Sequence, residues 1–149
     1  MTKLFWVVSV AVLLLSYSLS EGSEWKYYVT DQSKCKHYYK EITSWQKGVK
    51  TVWDKIDVQA SKELSCRTAM IDDGKRLHLP AEEYDDVSEK QLKLAFDCTS
   101  KKVSLLSVIS YDETGKMLHY ASSDSEGTKK ALSVVPDTLA ETLFDLVCK

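Results

Sequence analysis

The sequence predicts an α+β fold, in which one antiparallel sheet of about five to six strands carries a C-terminal helix on one face and a second helix or loop is inserted in mid-chain. Two observations lead to this prediction. Residues 91–122 form three consecutive strand-like runs separated by short turns, whereas the last dozen residues repeat apolar side chains at helical spacing. The length of 149 residues suits one domain with a real core.

The first 22 residues are expected to be a signal peptide. Lys3 precedes a twelve-residue apolar run, Leu4–Leu15, and small residues follow it. A membrane span needs about 20 apolar residues, so we expect cleavage after Ser20 or Gly22 rather than a retained anchor. The exported part, residues 23–149, is then a single domain without a stable membrane span, located in the periplasm, at the cell surface or outside the cell.

Three strands and a helix are expected in the first half of the exported chain. Runs of aromatic and β-branched residues predict strands at Glu24–Thr30, Lys36–Tyr39 and Val49–Val58. Helical spacing predicts a helix from Gln59 to about Asp73, ended by Gly74, with an apolar stripe of Leu64, Arg67, Thr68, Met70 and Ile71. Residues 77–88 are then a loop, anchored on the core by Tyr84 or Val87.

The central sheet is expected at residues 91–122. Strict alternation from Gln91 to Cys98 predicts a half-buried strand, and residues 112–115 form the turn into the last strand, with Gly115 at positive φ. The run between them is apolar on both faces, so it is expected to be covered on both sides. One face would hold Val103, Leu105, Ile109 and Tyr111, and the other would hold Leu106 and Val108.

A capping signal marks the start of the C-terminal helix. Thr138 can act as N-cap, and Glu141 stands at the reciprocal position of a capping box. An apolar stripe follows at i, i+4, i+7 and i+8, comprising Leu139, Leu143, Leu146 and Val147. The preceding residues 123–130 are polar and expected to be exposed.

Four cysteines, all in the exported part, indicate two disulfides, for which three pairings exist. Cys98 continues the buried face of its strand and Cys148 continues the buried side of the last helix, which favours a bond between them. Cys35 and Cys66 are then left to pair. With all thiols oxidised and no metal-type cysteine spacing, neither a zinc site nor a nucleophilic thiol is expected.

Catalytic, cofactor and nucleic-acid functions find little support. His37, His78 and His119 lie on separate elements without metal-ligand spacing, so a surface or sheet-face role is favoured. No sequence motif for hydrolysis or phosphate binding occurs, and we expect neither an enzyme nor a cofactor. With 20 basic and 22 acidic residues, the chain lacks the basic excess that nucleic-acid binding requires.

Several motifs resemble the surface-adhesin protein E family of small exported bacterial proteins. The motifs are Phe96-Asp97-Cys98, residues 105–108 (LLSV), Tyr111-Asp112 and the terminal Val147-Cys148. The resemblance implies a sheet with a C-terminal helix joined to it through Cys98 and Cys148, and a location at a bacterial envelope or surface. The member that gives the family its name is a lipid-anchored adhesin for extracellular-matrix proteins, whereas this chain has no lipobox cysteine.

The favoured hypothesis is a non-catalytic binding domain whose partner is an envelope or extracellular-matrix protein; a homodimer is left open. Its contact surface would be the strand edge at Trp25–Thr30 or a cluster of four tyrosines, namely Tyr27, Tyr28, Tyr38 and Tyr39. Burial in the core explains these tyrosines equally well. The alternatives are a structural or stress-related periplasmic protein without a soluble ligand, and a small hydrolase with a dispersed site.

Overall fold

The structure, a computed structural model, describes residues 24–42, 46–123 and 131–149. The expected signal peptide and residues 124–130 of the polar stretch lie outside the described residues. The α+β class is confirmed, because one antiparallel sheet carries three α-helices within the described residues, the last of them C-terminal. The strands are β1 (Lys26–Thr30), β2 (Lys36–Ile42), β3 (Val49–Asp57), β4 (Glu89–Asp97), β5 (Lys102–Tyr111), β6 (Met117–Ser122) and β7 (Leu132–Ser133).

The helices are α1 (Val58–Ser61), α2 (Leu64–Arg76) and α3 (Leu139–Val147), and a short 3₁₀ turn spans Ala81–Glu83. The sheet follows chain order from β1 to β6, and β7 pairs with the beginning of β5. Within the described part of the chain, none of the helices has the length and apolar character that crossing a membrane would demand.

One face of the sheet, which we call the helix side, carries the core. It is defined by Val52, Ile56 and Phe96, and α3 packs its Leu143, Phe144 and Val147 onto Val52 and Phe96. The rings of Phe96 and Phe144 meet edge to face, with centroids 6.0 Å apart. Since burying such a side chain contributes about 1.5–3 kcal/mol, this cluster is the main source of stability at this end of the sheet.

A second apolar cluster lies at the other end of the helix side. There α2 places Cys66 and Met70 beside Ile56 and Cys35. The disulfide Cys35–Cys66 ties the start of β2 to α2, and the disulfide Cys98–Cys148 ties the end of β4 to the end of α3. These are the pairs favoured by the sequence, and each one fastens a helix to the same face of the sheet.

The start of α3 differs from the predicted capping box in one bond. The Thr138 hydroxyl accepts from the Glu141 backbone N–H at 3.3 Å, as predicted. The Glu141 carboxylate, however, accepts from the N–H of Asp137 at 2.8 Å rather than from Thr138. Asp137 has a left-handed backbone with φ of 60°, which turns its N–H toward the helix. The Glu141 carboxylate therefore caps the backbone N–H one residue earlier than predicted.

The predicted mid-chain helix is wrong in its bounds and in its buried face. The helix is split in two at Lys62, which has a left-handed φ of 53°, and α2 continues through Gly74 to Arg76. Gly74 does not end the helix; it allows the Tyr84 ring to lie directly on the backbone. Leu64, expected to be in the apolar stripe, is 80% exposed. The disulfide turns Cys66 toward the core, and this constraint overrides the weak periodicity.

The face assignment of β5 is also wrong, because a β-bulge interrupts its alternation. Leu94 pairs with Leu105 but Lys93 pairs with Ser107, which leaves Leu106 as an extra residue. Beyond the bulge the side chains change sides, so Ile109 lies on the opposite face from Leu105. The helices of the described residues cover the face of Leu105 and leave the other face of β5 uncovered, so the expected covering on both sides is not found there.

Candidate functional site

The face of the sheet opposite the helices, which we call the open side, is a broad surface crossed by two rows of side chains. Directly paired residues of antiparallel strands point to the same face, so each row can be read from the pairing. The first row is Tyr27, Tyr38, Lys55, Gln91, Ile109 and Tyr120. The second row is Lys40, Trp53, Lys93, Ser107 and Ser122.

Lysines and aromatic rings contact one another along these rows. The Lys55 ammonium lies 5.0 Å from the centroid of the Trp25 ring and 5.1 Å from that of Tyr38. The Lys93 ammonium lies 5.8 Å from the centroid of Trp53. Cation–π contacts of this kind contribute about 0.5–1 kcal/mol at exposed sites, and they hold the rings in fixed positions on the surface.

Large apolar side chains remain exposed on the open side. Tyr27 is 55% exposed and Tyr120 is 56% exposed. Met117 pairs with Tyr111, which lies on the same face as Ile109, and it is also 56% exposed. Tyrosine, tryptophan and methionine are enriched where proteins bind other proteins. An extended surface of these residues is typical of an interaction site.

The predicted tyrosine cluster divides between the two faces, because consecutive residues of a β-strand point to opposite sides of the sheet. Tyr27 and Tyr38 meet on the open side with ring centroids 5.8 Å apart. Tyr28 and Tyr39 meet on the helix side at 5.9 Å. The interpretation of the tyrosines as a contact surface therefore fits the pair Tyr27 and Tyr38. The interpretation as buried residues fits the pair Tyr28 and Tyr39, which packs against the core.

A groove of about 390 Å³ crosses the helix side. Its walls are leucines and valine from the sheet and from α3, and one end is polar. Three of the leucines are about half exposed at its rim, namely Leu105 at 48%, Leu132 at 56% and Leu139 at 37%. The volume lies within the range of about 300–1,000 Å³ that is usual for small-molecule sites.

The polar end of the groove contains a buried hydrogen-bonded cluster. The Tyr28 hydroxyl donates to the Asp54 carboxylate at 3.0 Å. His37 Nδ1 lies 3.3 Å from both oxygens of Asp54, and His37 Nε2 lies 3.3 Å from the Asp31 carboxylate. His37 is only 2% exposed and Asp54 5%, whereas Tyr28 is partly exposed and the Asp31 side chain retains 19% exposure.

The electrostatics of this cluster favour a charged imidazole and a neutral phenol. Burial by itself lowers the pKa of His37, but the hydrogen bonds and charges of Asp54 and Asp31 outweigh it and raise the pKa above its usual value. Burial, reinforced by Asp54, raises the pKa of Tyr28 far above its usual value. Two carboxyl groups thus surround one imidazole at this end of the groove, so acidic groups outnumber the basic one.

The three histidines are not brought together. His37 faces the groove, His119 pairs with Glu83 at the edge of the sheet, and His78 is exposed. Both ring nitrogens of His37 are engaged by carboxylates, which leaves none free to accept a proton from a substrate. Over the described ranges, no His, Cys, Asp and Glu side chains are grouped so as to hold a metal ion.

Sequence reasoning missed the cluster around His37. A signal was present in the alternation of the predicted strands. His37 lies two residues after the buried Cys35, and Asp54 lies two residues from both Val52 and Ile56, so both side chains fall on the inward face. Buried polar residues are normally hydrogen-bonded to one another. Recognising the pair required the register of β2 against β3, in which Tyr39 stands opposite Asp54 and His37 opposite Ile56.

Comparison with known proteins agrees with the motifs at the end of β4, along β5 and at the C-terminus. Searches of curated proteins and of solved structures find no match. A family model described as "Surface-adhesin protein E" matches residues 25–149, which is most of the chain and includes the whole sheet, both disulfides and α3. The chain belongs to the surface-adhesin protein E family.

Proposed function

We propose that the protein is an exported, non-catalytic binding domain of the bacterial envelope, which contacts another protein through the open side of its sheet. The observation that carries this proposal is the pair of lysine and aromatic rows on a face that the described helices leave uncovered. Membership of an adhesin family supports a protein partner at a surface.

The shape of the open side favours a protein over a small ligand. Six strands spaced about 4.8 Å apart make a surface roughly 25 Å wide. Small-molecule sites are concave, whereas flat surfaces anchored by aromatic side chains are characteristic of protein interfaces. Tyr120, Met117 and Tyr27 would be the anchors, and the lysines would select a partner with acidic groups around its apolar contact.

Export is part of the proposal. Removal of residues 1–22 would leave the domain of residues 23–149 in the periplasm or at the cell surface. Two disulfides fit an oxidising compartment of that kind. The partner would then be another envelope protein or a protein of the extracellular matrix.

The test is a binding assay with protein that has been exported to the periplasm of an expression host and purified oxidised. It is measured against immobilised matrix proteins and against envelope proteins separated by native gel. The double variant Tyr120→Ala/Met117→Ala should lose at least about tenfold in affinity, because anchor residues typically contribute more than 1 kcal/mol each. Both side chains are more than half exposed, so the fold should be unaffected.

The matched control is Leu64→Ala, which removes an apolar side chain that is 80% exposed but lies on α2. Binding lost equally in the control and in the double variant would contradict the assignment of the surface. Absence of any partner, together with a change in envelope integrity when the gene is deleted, would instead support a structural or stress-related role.

A further inference from the structure

We propose that the groove on the helix side is a second binding site, separate from the open side, for a free amphiphile with a single alkyl chain and an ammonium head group. The inference rests on the leucine walls, the volume of the groove and the placement of two carboxylates at one end. It does not depend on whether the open side binds a protein.

The walls are suited to an alkyl chain. Leu92 and Leu94 of β4 form the floor, and Leu105, Leu132 and Leu139 form the rim from three different elements. The rim leucines expose between 37% and 56% of their surface. An alkyl chain in the groove would cover this apolar surface, which contributes about 25 cal/mol for each Å² removed from water.

The polar end determines the head group. Asp31 lines the groove, and its side chain retains 19% exposure, so it is the carboxylate that a ligand can reach. One of its oxygens accepts from the Cys35 N–H at 2.8 Å and the other faces His37, but each carboxylate oxygen can accept more than one hydrogen bond. An ammonium group can therefore add to Asp31 without breaking the existing bonds.

Charge complementarity excludes the opposite class of amphiphile. The cluster sets two carboxyl groups, those of Asp31 and Asp54, against the single imidazole of His37, so acidic groups outnumber the basic one. A fatty acid would place a second carboxylate next to Asp31, and like charges in a poorly solvated site repel strongly. The groove should therefore distinguish an alkylammonium ion from a carboxylate of the same chain length.

The volume favours a free small molecule over a protein segment. About 390 Å³ is sufficient for one alkyl chain and its head group, and the cavity lies at the small end of the range for ligand sites. A protein interface of ordinary size would need about 800 Å² on each partner, which a groove between α3 and the sheet does not offer. The binding experiment below distinguishes a peptide from a free amphiphile in the groove.

The test uses calorimetric titration of the oxidised, exported protein with decylammonium chloride and with sodium decanoate, each below its micelle-forming concentration. Decylammonium should bind at least about tenfold more tightly, because a charge-assisted hydrogen bond forms with one ligand and repulsion occurs with the other. Asp31→Asn should remove most of this preference, and Leu105→Ser should weaken both ligands. The control Asp86→Asn, at an 86% exposed carboxylate outside the groove, should change neither.

A second measurement requires no variant. Decylammonium should shift the methyl resonances of Leu94, Leu105 and Leu132 in the wild-type protein. Equal binding of decanoate, no binding of either ligand, or methyl shifts outside the groove would each overturn the proposal. Displacement of decylammonium by a lysine-rich apolar peptide but not by other alkylamines would assign the groove to a protein segment instead.

Discussion

The two faces of the sheet are made from the same strands but differ in what their side chains do. On the helix side, Val52 and Phe96 are fully buried under α3, and a disulfide holds that helix in place. On the open side, the Lys93 ammonium lies over the Trp53 ring, and Tyr120 is 56% exposed. The alternation of a strand thus allows one face to provide the stability while the other is free to specialise in recognition.

The largest difference between the faces should appear in stability. Phe96→Ala removes a fully buried ring that packs on Phe144, and it should lower the free energy of unfolding by about 3–5 kcal/mol. Tyr120→Ala on the open side should change it by less than about 0.5 kcal/mol. Urea denaturation of both variants measures this. Similar losses of unfolding free energy in the two variants would mean that the open side contributes to stability as much as the core does.

The two disulfides should contribute slightly different amounts of stability at the two ends of the helix side. The bonds close segments with sequence separations of 50 and 31 residues, so the chain-entropy model gives about 4 kcal/mol for Cys98–Cys148 and slightly less for Cys35–Cys66. Paired Cys→Ser variants, compared by urea denaturation under oxidising conditions, check both values. A loss below about 1 kcal/mol for either pair would show that its bond does not restrain the exported protein.

The buried cluster should make stability depend on pH. The pKa of His37 is raised in the folded state above the unfolded value of about 6.5. The stabilisation is therefore complete below about pH 6.5 and is lost as the pH rises through the folded pKa. Denaturation curves recorded from about pH 6.5 upward should show this decline.

His37→Gln should flatten the decline, whereas the control His78→Gln, at an exposed position, should retain it. An unchanged slope in His37→Gln would mean that other groups produce the pH dependence. The open side has no comparable group, so variants there should leave the slope as it is.

The smallest of these effects concerns the start of α3. Thr138→Ala removes the side-chain acceptor for the Glu141 N–H and should cost about 1 kcal/mol. Thermal unfolding measures the change, and Thr114→Ala, at an exposed turn away from α3, is the matched control. A loss equal to that of the control would show that packing alone holds the helix.

The parts of the fold that could be predicted are those with strong local patterns. The alternation in β4 and the apolar stripe of α3 predicted both elements and brought Cys98 and Cys148 to the same core. The bulge at Leu106 could not be predicted, because one inserted residue leaves the composition of β5 unchanged and only pairing reveals it. The orientation of α2 depends on a long-range disulfide, which local periodicity does not contain.

The candidate sites were less predictable than the fold. The open side depends on which residues stand opposite one another across six strands, and the alternation within a single strand does not reveal that pairing. The groove depends on how α3 and β7 are placed over the leucines of β4 and β5. His37 and Asp54 are seventeen residues apart, so their contact follows from tertiary structure alone.

Hydroxyl-radical footprinting of the exported protein, with and without a bound envelope or matrix partner, tests the division of roles most directly. The division predicts that partner binding protects Tyr27, Trp53, Met117 and Tyr120 on the open side, while Leu105 and Leu132 at the groove stay as reactive as before. Protection of the groove leucines with an unchanged open side would contradict it.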